Sequence, residues 1–384
     1  MISAFSFVDH LRHLGYSQYA GVPCSFFTAL INYVIDDPVS DYIGAASEGE
    51  AVGVTFGAFL AGRKTVTMCQ NSGLGNMVNP LTSLNYPFRV PTLLIVTWRG
   101  QPQVKDEPQH EQMGRIMHHL LETLEIPCLP FPVSEAEIAK TMEQAEASME
   151  QRKQPFALVM QKGSVAPHAL SRRLEPKSIK TDLQQNLLAN ANERLTRTAT
   201  IELILDALAG DEAIIATTGK TGRELFTISD RPNHLYVVGG MGTASAIGFG
   251  VAHAMPKQSV VVIDGDGAAL MKLGALATIG FYQPSNLLHI ILDNEAHDST
   301  GGQQTASGIV RFAAFAAAAN YRSAFAVDRP DEIREAVRLL RHRVGPSLLH
   351  VKIQPGSPAN LGRPTVAPHE VKERFSQFLR SNAK

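Results

Sequence analysis

Asp266, set between Gly265 and Gly267, and Asn294 are the residues whose types and spacing point most directly to chemistry. Asp266 offers a carboxylate oxygen and Asn294 an amide oxygen. The segment after Asn294 offers backbone carbonyls, that of Ala296 being the best placed. Three hard oxygens with so little negative charge are a poor cage for a bare cation. They suit Mg2+ that keeps part of its water and takes other ligands from phosphate oxygens. Gly267 and the amides from Ala268 onward can approach a diphosphate closely, at the positive end of a predicted helix. The chemistry implied is a metal-bridged diphosphate.

Such a site needs elements to hold it. Residues 260–263 are four consecutive β-formers without alternation, which predicts a buried strand of a parallel sheet. Residues 268–281 have helical composition, and 287–292 form a second apolar run. This is one βαβ unit, and its polar residues collect past the carboxyl ends of its strands, where ligands bind in open parallel sheets. Between Gly267 and Asn294 lie 26 residues. The same alternation fills residues 1–163, with strands expected at 19–22, 41–46, 64–69, 92–98 and 156–161 and a helix at 48–60. The first residues read as an amphipathic helix opened by Ser6 and ended at Gly15. Residues 166–195 are polar, with few strand formers, and read as a linker with some helix. A second α/β series follows, with a helix at 199–209, strands at 213–217 and 347–353, and a terminal helix at 371–380. The expected fold class is α/β, with two doubly wound parallel-sheet domains at 1–165 and 196–384.

Composition narrows the function. The chain is 44% hydrophobic and 18% charged, with a formal net charge of −1 and no long basic block. A nucleic-acid or membrane-surface role therefore has no electrostatic support. No run reaches the roughly 18 apolar residues of a membrane span, and no signal-peptide pattern opens the chain. Cys24, Cys69 and Cys128 show no metal spacing, and a disulfide framework is not expected. A cytoplasmic enzyme is expected. Three motif fragments fail. His110-Glu111 lacks the second histidine of a zinc-protease motif, because position 114 is Gly. Gly219-Lys220-Thr221 lacks the first glycine of a phosphate loop, because position 214 is Ile. Gly240 and Gly242 lack the third glycine of a dinucleotide fingerprint, because position 245 is Ser.

The pattern from Gly265-Asp266-Gly267 to Asn294 resembles the diphosphate-binding motif of thiamine-diphosphate enzymes. That resemblance supplies the cofactor, thiamine diphosphate with Mg2+. It also implies a Glu beside the aminopyrimidine ring, opening a helix with a Gly nine residues later. Glu48 with Gly57 fits, and Glu50 does not. On its residues alone Glu48 reads as a capping group after Ser47, and Glu50 reads as a first-turn surface carboxylate. In the same family, the carbonyl of Gly239 would accept from the cofactor's exocyclic amine, and Met241 would support its bent shape.

Further stretches look like those of phosphonopyruvate decarboxylases, relatives of sulfopyruvate decarboxylases. They are GVPCSFFTALIN, ASEGEAVGVTFGAFLAG, QNSGLGNMVNPLTSL, TWRGQPQVKDEPQHEQMGR and HDSTGGQ. The resemblance marks Ser25, Gln70, Asn71, Ser72, Arg99, Lys105, Asp106 and His110 as site lining. It adds His297 and Thr300, and either Lys220 or Arg223 near an anionic substrate tail. Glu48, His110 and His297 are the catalytic candidates. His118-His119 is similar to the paired histidines of some thiamine decarboxylases, but lies in a helix-like run with one ring half-buried and the other exposed.

The implied activity is decarboxylation of a small anionic 2-oxo acid, 3-phosphonopyruvate, to phosphonoacetaldehyde and CO2, a step of phosphonate biosynthesis. Arg99, Lys105, Arg115 and Lys220 form the pool of cations for the phosphonate. Sulfopyruvate decarboxylation, carboligation and non-catalytic binding of thiamine diphosphate stay open as alternatives. A homodimer or higher homo-oligomer with active sites between subunits is implied. The short linker leaves no room for the middle domain of larger thiamine decarboxylases.

Overall fold

The computed structural model describes residues 1–173, 175 and 178–382. It divides into two compact units, Met1–Glu175 and Pro176–Lys384. Each is built on one all-parallel sheet with helices between its strands.

The first unit carries β1 (Tyr16–Gly21), β2 (Asp41–Gly44), β3 (Lys64–Gln70), β4 (Leu93–Thr97), β5 (Cys128–Pro130) and β6 (Phe156–Met160), in the order β2-β1-β3-β4-β6-β5. Side chains of a strand alternate between faces. In β4, Leu93 and Ile95 therefore join an apolar cluster with Phe7, Phe27 and Phe131. Leu94 and Val96 join a second cluster with Met77, Met117 and Leu121. Both faces are covered, which is why the strand reads as an unbroken apolar run. Each such side chain contributes about 1.5–3 kcal/mol through burial.

The second unit carries β7 (Asp182–Asn186), β8 (Ala213–Ala216), β9 (His234–Tyr236), β10 (Val260–Gly265) and β11 (Leu287–Asp293). A two-stranded hairpin of β12 (Ala296–His297) and β13 (Gln303–Gln304) follows, then β14 (Ser323–Val327) and β15 (Ser347–Lys352). The seven-stranded order is β7-β14-β15-β11-β10-β8-β9. In each unit the chain steps to one side of a strand and then returns to its other side. The reversal falls between β1 and β3 in the first unit and between β8 and β10 in the second. These are the switch points where a crevice opens.

Three expectations are corrected. Ser3, not Ser6, caps the first helix (Ala4–His13), accepting from the Phe5 amide, and Ser6 lies inside it and donates to Glu135. The stretch 268–281 is not one helix but two, Asp266–Met271 and Ala275–Tyr282. The segment 166–195 is not a plain linker with helix. It supplies β7, the edge strand of the second sheet, paired with β14 from Ser323↔Asp182 to Val327↔Asn186. An edge strand gains its order from backbone pairing and needs no apolar face, so the exposed sequence DLQQN hid it. Leu174, Pro176 and Lys177, also in that segment, lie outside the described residues.

Candidate active site

In the second unit β10 and β11 are direct neighbours, with Gly265 opposite Leu292. Asp266 and Asn294 follow the two strand ends and are both 4% exposed. Neighbouring parallel strands lie about 4.8 Å apart, so two oxygen donors meet at one edge without any loop having to travel. Asn294 Nδ2 donates to Asp298 Oδ2 at 2.6 Å, and its Oδ1 accepts from the Ala296 amide at 3.2 Å. Asp266 Oδ2 accepts from the hydroxyl of Thr305 and lies 3.0 Å from that of Ser307. Burial pushes the Asp266 carboxyl up, its hydroxyl contacts oppose this, and the nearby Asp293 carboxylate adds to it. Asp293 shows the opposite result. Burial pushes it up, yet His350 Nε2 and Lys352 Nζ, each at 2.8 Å, hold it below the usual carboxylate range.

The ground around Asp266 is packed closely. A Cβ on Gly267 would lie 2.6 Å from His297 Cε1, so only glycine lets the β12–β13 hairpin lie against the turn. Gly242 has φ +88°, and a Cβ there would come within 3.0 Å of the Ala268 carbonyl. The turn holding Gly239, Gly240 and half-buried Met241 is thereby seated on the helix that Asp266 opens. The residues present fit a hydrated divalent cation shared with phosphate oxygens: one carboxylate, one amide oxygen and the backbone of Ala296, all held by the fold. Among the described residues no group of three or more His, Cys, Asp or Glu could hold a metal ion without such a partner. Thr300 is exposed in the hairpin turn and donates to Gln303. Lys220 is half-buried at the start of the helix Lys220–Ile228. Arg223 is engaged elsewhere, donating to the carbonyls of Leu361 and Gly362.

In the first unit the switch point between β1 and β3 gathers residues from distant segments. Cys24 Sγ lies 3.2 Å from Gln70 Oε1, and Gln70 Nε2 donates to Ser72 Oγ at 2.6 Å. Asn71 Nδ2 donates to the Arg99 carbonyl at 2.7 Å. The Arg99 guanidinium grips Asp106 with two parallel hydrogen bonds, Nε to Oδ2 at 2.8 Å and Nη2 to Oδ1 at 2.5 Å. Its remaining nitrogen, Nη1, donates to Ser25 Oγ at 3.0 Å, and the group stacks 4.7 Å from the Phe26 ring. The Arg99 fork holds the Asp106 carboxyl well below the usual range, with burial opposing and the Gly100 and Glu107 amides adding to the effect. Asp106 thus ties down the whole loop. His110 closes it, 8% exposed, not in an open polar loop as its neighbours in sequence imply. Lys105 and Arg115 are exposed. His118 packs edge-on to Trp98, and His119 points to solvent beside Glu122.

Glu48 opens the helix Glu48–Leu60. The capping is done by others: Ser47 Oγ accepts from the Glu50 amide at 3.3 Å, and Glu50 Oε2 accepts from the Ala46 amide at 3.0 Å. Glu50 is 2% exposed, which corrects its reading as a surface carboxylate. Glu48 is left half-buried, with Oε2 held by Asn76 Nδ2 at 2.8 Å and the carboxylate laid against Gly73, where a Cβ would sit 2.3 Å from Oε1. Cys24, Asn76 and Asp298 lie in the stretches that carry the resemblance but were not singled out as site residues, and Thr305 and Ser307 are revealed by contact.

Two parallel-sheet units with a carboxylate and an amide at adjacent strand ends fit the thiamine-diphosphate class that the resemblance implied. Residues 217–351 match the family described as thiamine pyrophosphate enzyme, C-terminal TPP binding domain. The chain is 44% identical to phosphonopyruvate decarboxylase of Streptomyces viridochromogenes, over 99% of this chain and 95% of that protein. It is 29% identical to sulfopyruvate decarboxylase of Methanosarcina acetivorans, over 97% and 96% of the two chains. In structure it resembles benzoylformate decarboxylase from Polynucleobacter necessarius, with a TM-score of 0.70 at 13% identity, covering 92% of this chain and 99% of the other. The chain belongs to the phosphonopyruvate decarboxylase family.

Proposed function

We propose that the chain catalyses the thiamine-diphosphate- and Mg2+-dependent decarboxylation of 3-phosphonopyruvate to phosphonoacetaldehyde and CO2. The observation that carries this reading is near-full-length identity of 44% to a phosphonopyruvate decarboxylase. When bound, the cofactor supplies the sink for the electrons that CO2 leaves behind. The chain's own residues bind, orient and move protons around it. Asp266, Asn294 and the Ala296 carbonyl would hold Mg2+. Gly265, Gly267 and Ala268 would bind the diphosphate. The Gly239 carbonyl and Met241 would hold the aminopyrimidine end. Glu48 keeps a proton at the aminopyrimidine ring nitrogen, and its fixed contacts with Asn76 and Gly73 support that role.

The phosphonate requires cationic and amide donors. Of the four cations, Arg99 is the one built into the fold, with its orientation set by Asp106. Ser25 accepts from its guanidinium, Asn71 donates to its backbone carbonyl, and Ser72 lies next to Asn71. Lys105 and Arg115 are solvated and act on the substrate's approach rather than its grip. In the second unit, Lys220 and Thr300 are the substrate-binding candidates. His110 and His297 handle the proton that replaces CO2. Desolvation at the reacting carbon would favour loss of a carboxylate whose charge disperses.

The assembly is a cytoplasmic homodimer or larger homo-oligomer with active sites made between subunits, which sedimentation of the holoenzyme tests. Among the described residues no helix is long and apolar enough to cross a membrane. The decisive assay follows CO2 and aldehyde from several 2-oxo acids with thiamine diphosphate and Mg2+ present. Phosphonopyruvate is expected to be turned over best. The sulfopyruvate relative makes sulfopyruvate the competing substrate, and preference for it overturns the assignment.

A further inference from the structure

We infer that two sets of polar side chains outside the Gly265–Asn294 motif are positioning residues for the cation site: Asp298 with Arg197, acting on Asn294, and Thr305 with Ser307, acting on Asp266. The inference rests on the Mg2+ reading given above.

An asparagine amide has two nearly isosteric ends, and rotation by about 180° exchanges the oxygen for the nitrogen. A cation needs the oxygen. Asp298, ionised, is an acceptor only, so it demands the Asn294 nitrogen and receives it at 2.6 Å. The amide oxygen is thereby turned the other way. Asp298 is itself fixed by Arg197 Nη2 at 2.5 Å and by the Gly356 amide. Arg197 is held by Glu224 Oε1 at 2.9 Å and Ser357 Oγ at 2.9 Å, and Glu224 by Thr198. The side chains of Arg197, Glu224 and Asp298 are 7%, 1% and 9% exposed, so water does not loosen the arrangement.

Asp266 is oriented by a different device. Thr305 and Ser307 both converge on Oδ2, and neither meets Oδ1. Ser307 Oγ also lies 2.7 Å from Asp293 Oδ1, whose other oxygen is tied to His350 and Lys352. Its single proton serves one carboxylate at a time, and the Thr305 hydroxyl secures Asp266 when Ser307 faces Asp293. Partners of this kind around a metal ligand are typically worth 10–100-fold in metal affinity.

The test is calorimetric titration of thiamine diphosphate into the full-length apoprotein at stepped Mg2+ concentrations. Asp298→Asn keeps the shape but adds a donor, so only the Ala296 amide is left to set the direction of the Asn294 amide. Thr305→Val removes a hydroxyl at constant volume, and Thr305→Ser restores it. We expect the Mg2+ concentration for half-saturation to rise about 10–100-fold in Asp298→Asn and Thr305→Val and to return to within about threefold in Thr305→Ser. The melting temperature of the Thr305→Val apoprotein should fall slightly, because the Thr305 hydroxyl also accepts from the Ser307 amide, and Thr305→Ser should restore it. Unchanged Mg2+ requirement in Thr305→Val overturns the inference even where Asp298→Asn fails to fold. Wild-type binding that ignores Mg2+ overturns the metal reading itself.

Discussion

The carboxylates beside the two switch points meet opposite fates. In the first unit Asp106 finds its cation inside the fold, in the two-pronged grip of Arg99, and stays ionised to unusually low pH. In the second unit Asp266 is buried against hydroxyls and beside another carboxylate, and its carboxyl is pushed up. The Asp106 charge is met inside the fold, whereas Asp266 retains negative charge that burial penalises. The second crevice is therefore the place where a cation from outside gains most. The first presents a rigid donor surface to an anion.

Removing the leftover charge breaks this contrast most severely. Asp266→Ala should abolish Mg2+-dependent binding of thiamine diphosphate, read by calorimetry, and bring turnover below detection. Glu48→Gln should lower kcat by about 10²–10⁴-fold, the range for loss of a positioned acid or base. Its melting temperature should stay near wild type, because Ser47 and Glu50 do the capping. Glu50→Ala should reverse that pattern, losing about 1 kcal/mol of stability in urea unfolding with a smaller loss of turnover. Equal damage from both changes would remove the distinction between them.

Arg99→Met should raise KM for the phosphonate substrate by about 10–100-fold, as expected for losing charged hydrogen bonds. The same variant tests the Asp106 pairing. A carboxyl whose folded value lies below its ordinary 3.8 contributes stability that is present above that value and lost as pH falls through the folded one. The stability gap between wild type and Arg99→Met, from urea unfolding, should hold steady down to about pH 4 and narrow below it. A gap that narrows between pH 7 and 5 would argue against the pairing. Lys105→Ala should be the mildest, changing KM by less than about twofold, since an exposed charge is screened by salt.

How much of this was legible depends on how far apart the participants lie in the chain. Asp266 and Asn294 sit on consecutive strands that are also spatial neighbours, so spacing alone carried the metal–diphosphate reading. Strands β4, β10 and β11 announced themselves because burial on both faces leaves an unbroken apolar run. The edge strand β7 did not, because pairing at an edge is made by backbone atoms that every residue has. Glu48 and Glu50, two residues apart in one helix turn, could not be told apart by local rules alone; the family resemblance was needed to choose Glu48.

By itself the sequence determined the two α/β repeats, the oxygen donors at one strand edge and, through its resemblance, the cofactor. Tertiary structure alone decided which of four cations is fixed within the fold, which glutamate is consumed by capping, and what turns the Asn294 oxygen away from Asp298. The physical reason is that side-chain type and spacing survive in one dimension. Burial, hydrogen-bond direction and the balance of charge around a group depend on residues brought together from elsewhere in the chain, as Arg197 is to Asp298 across 101 positions.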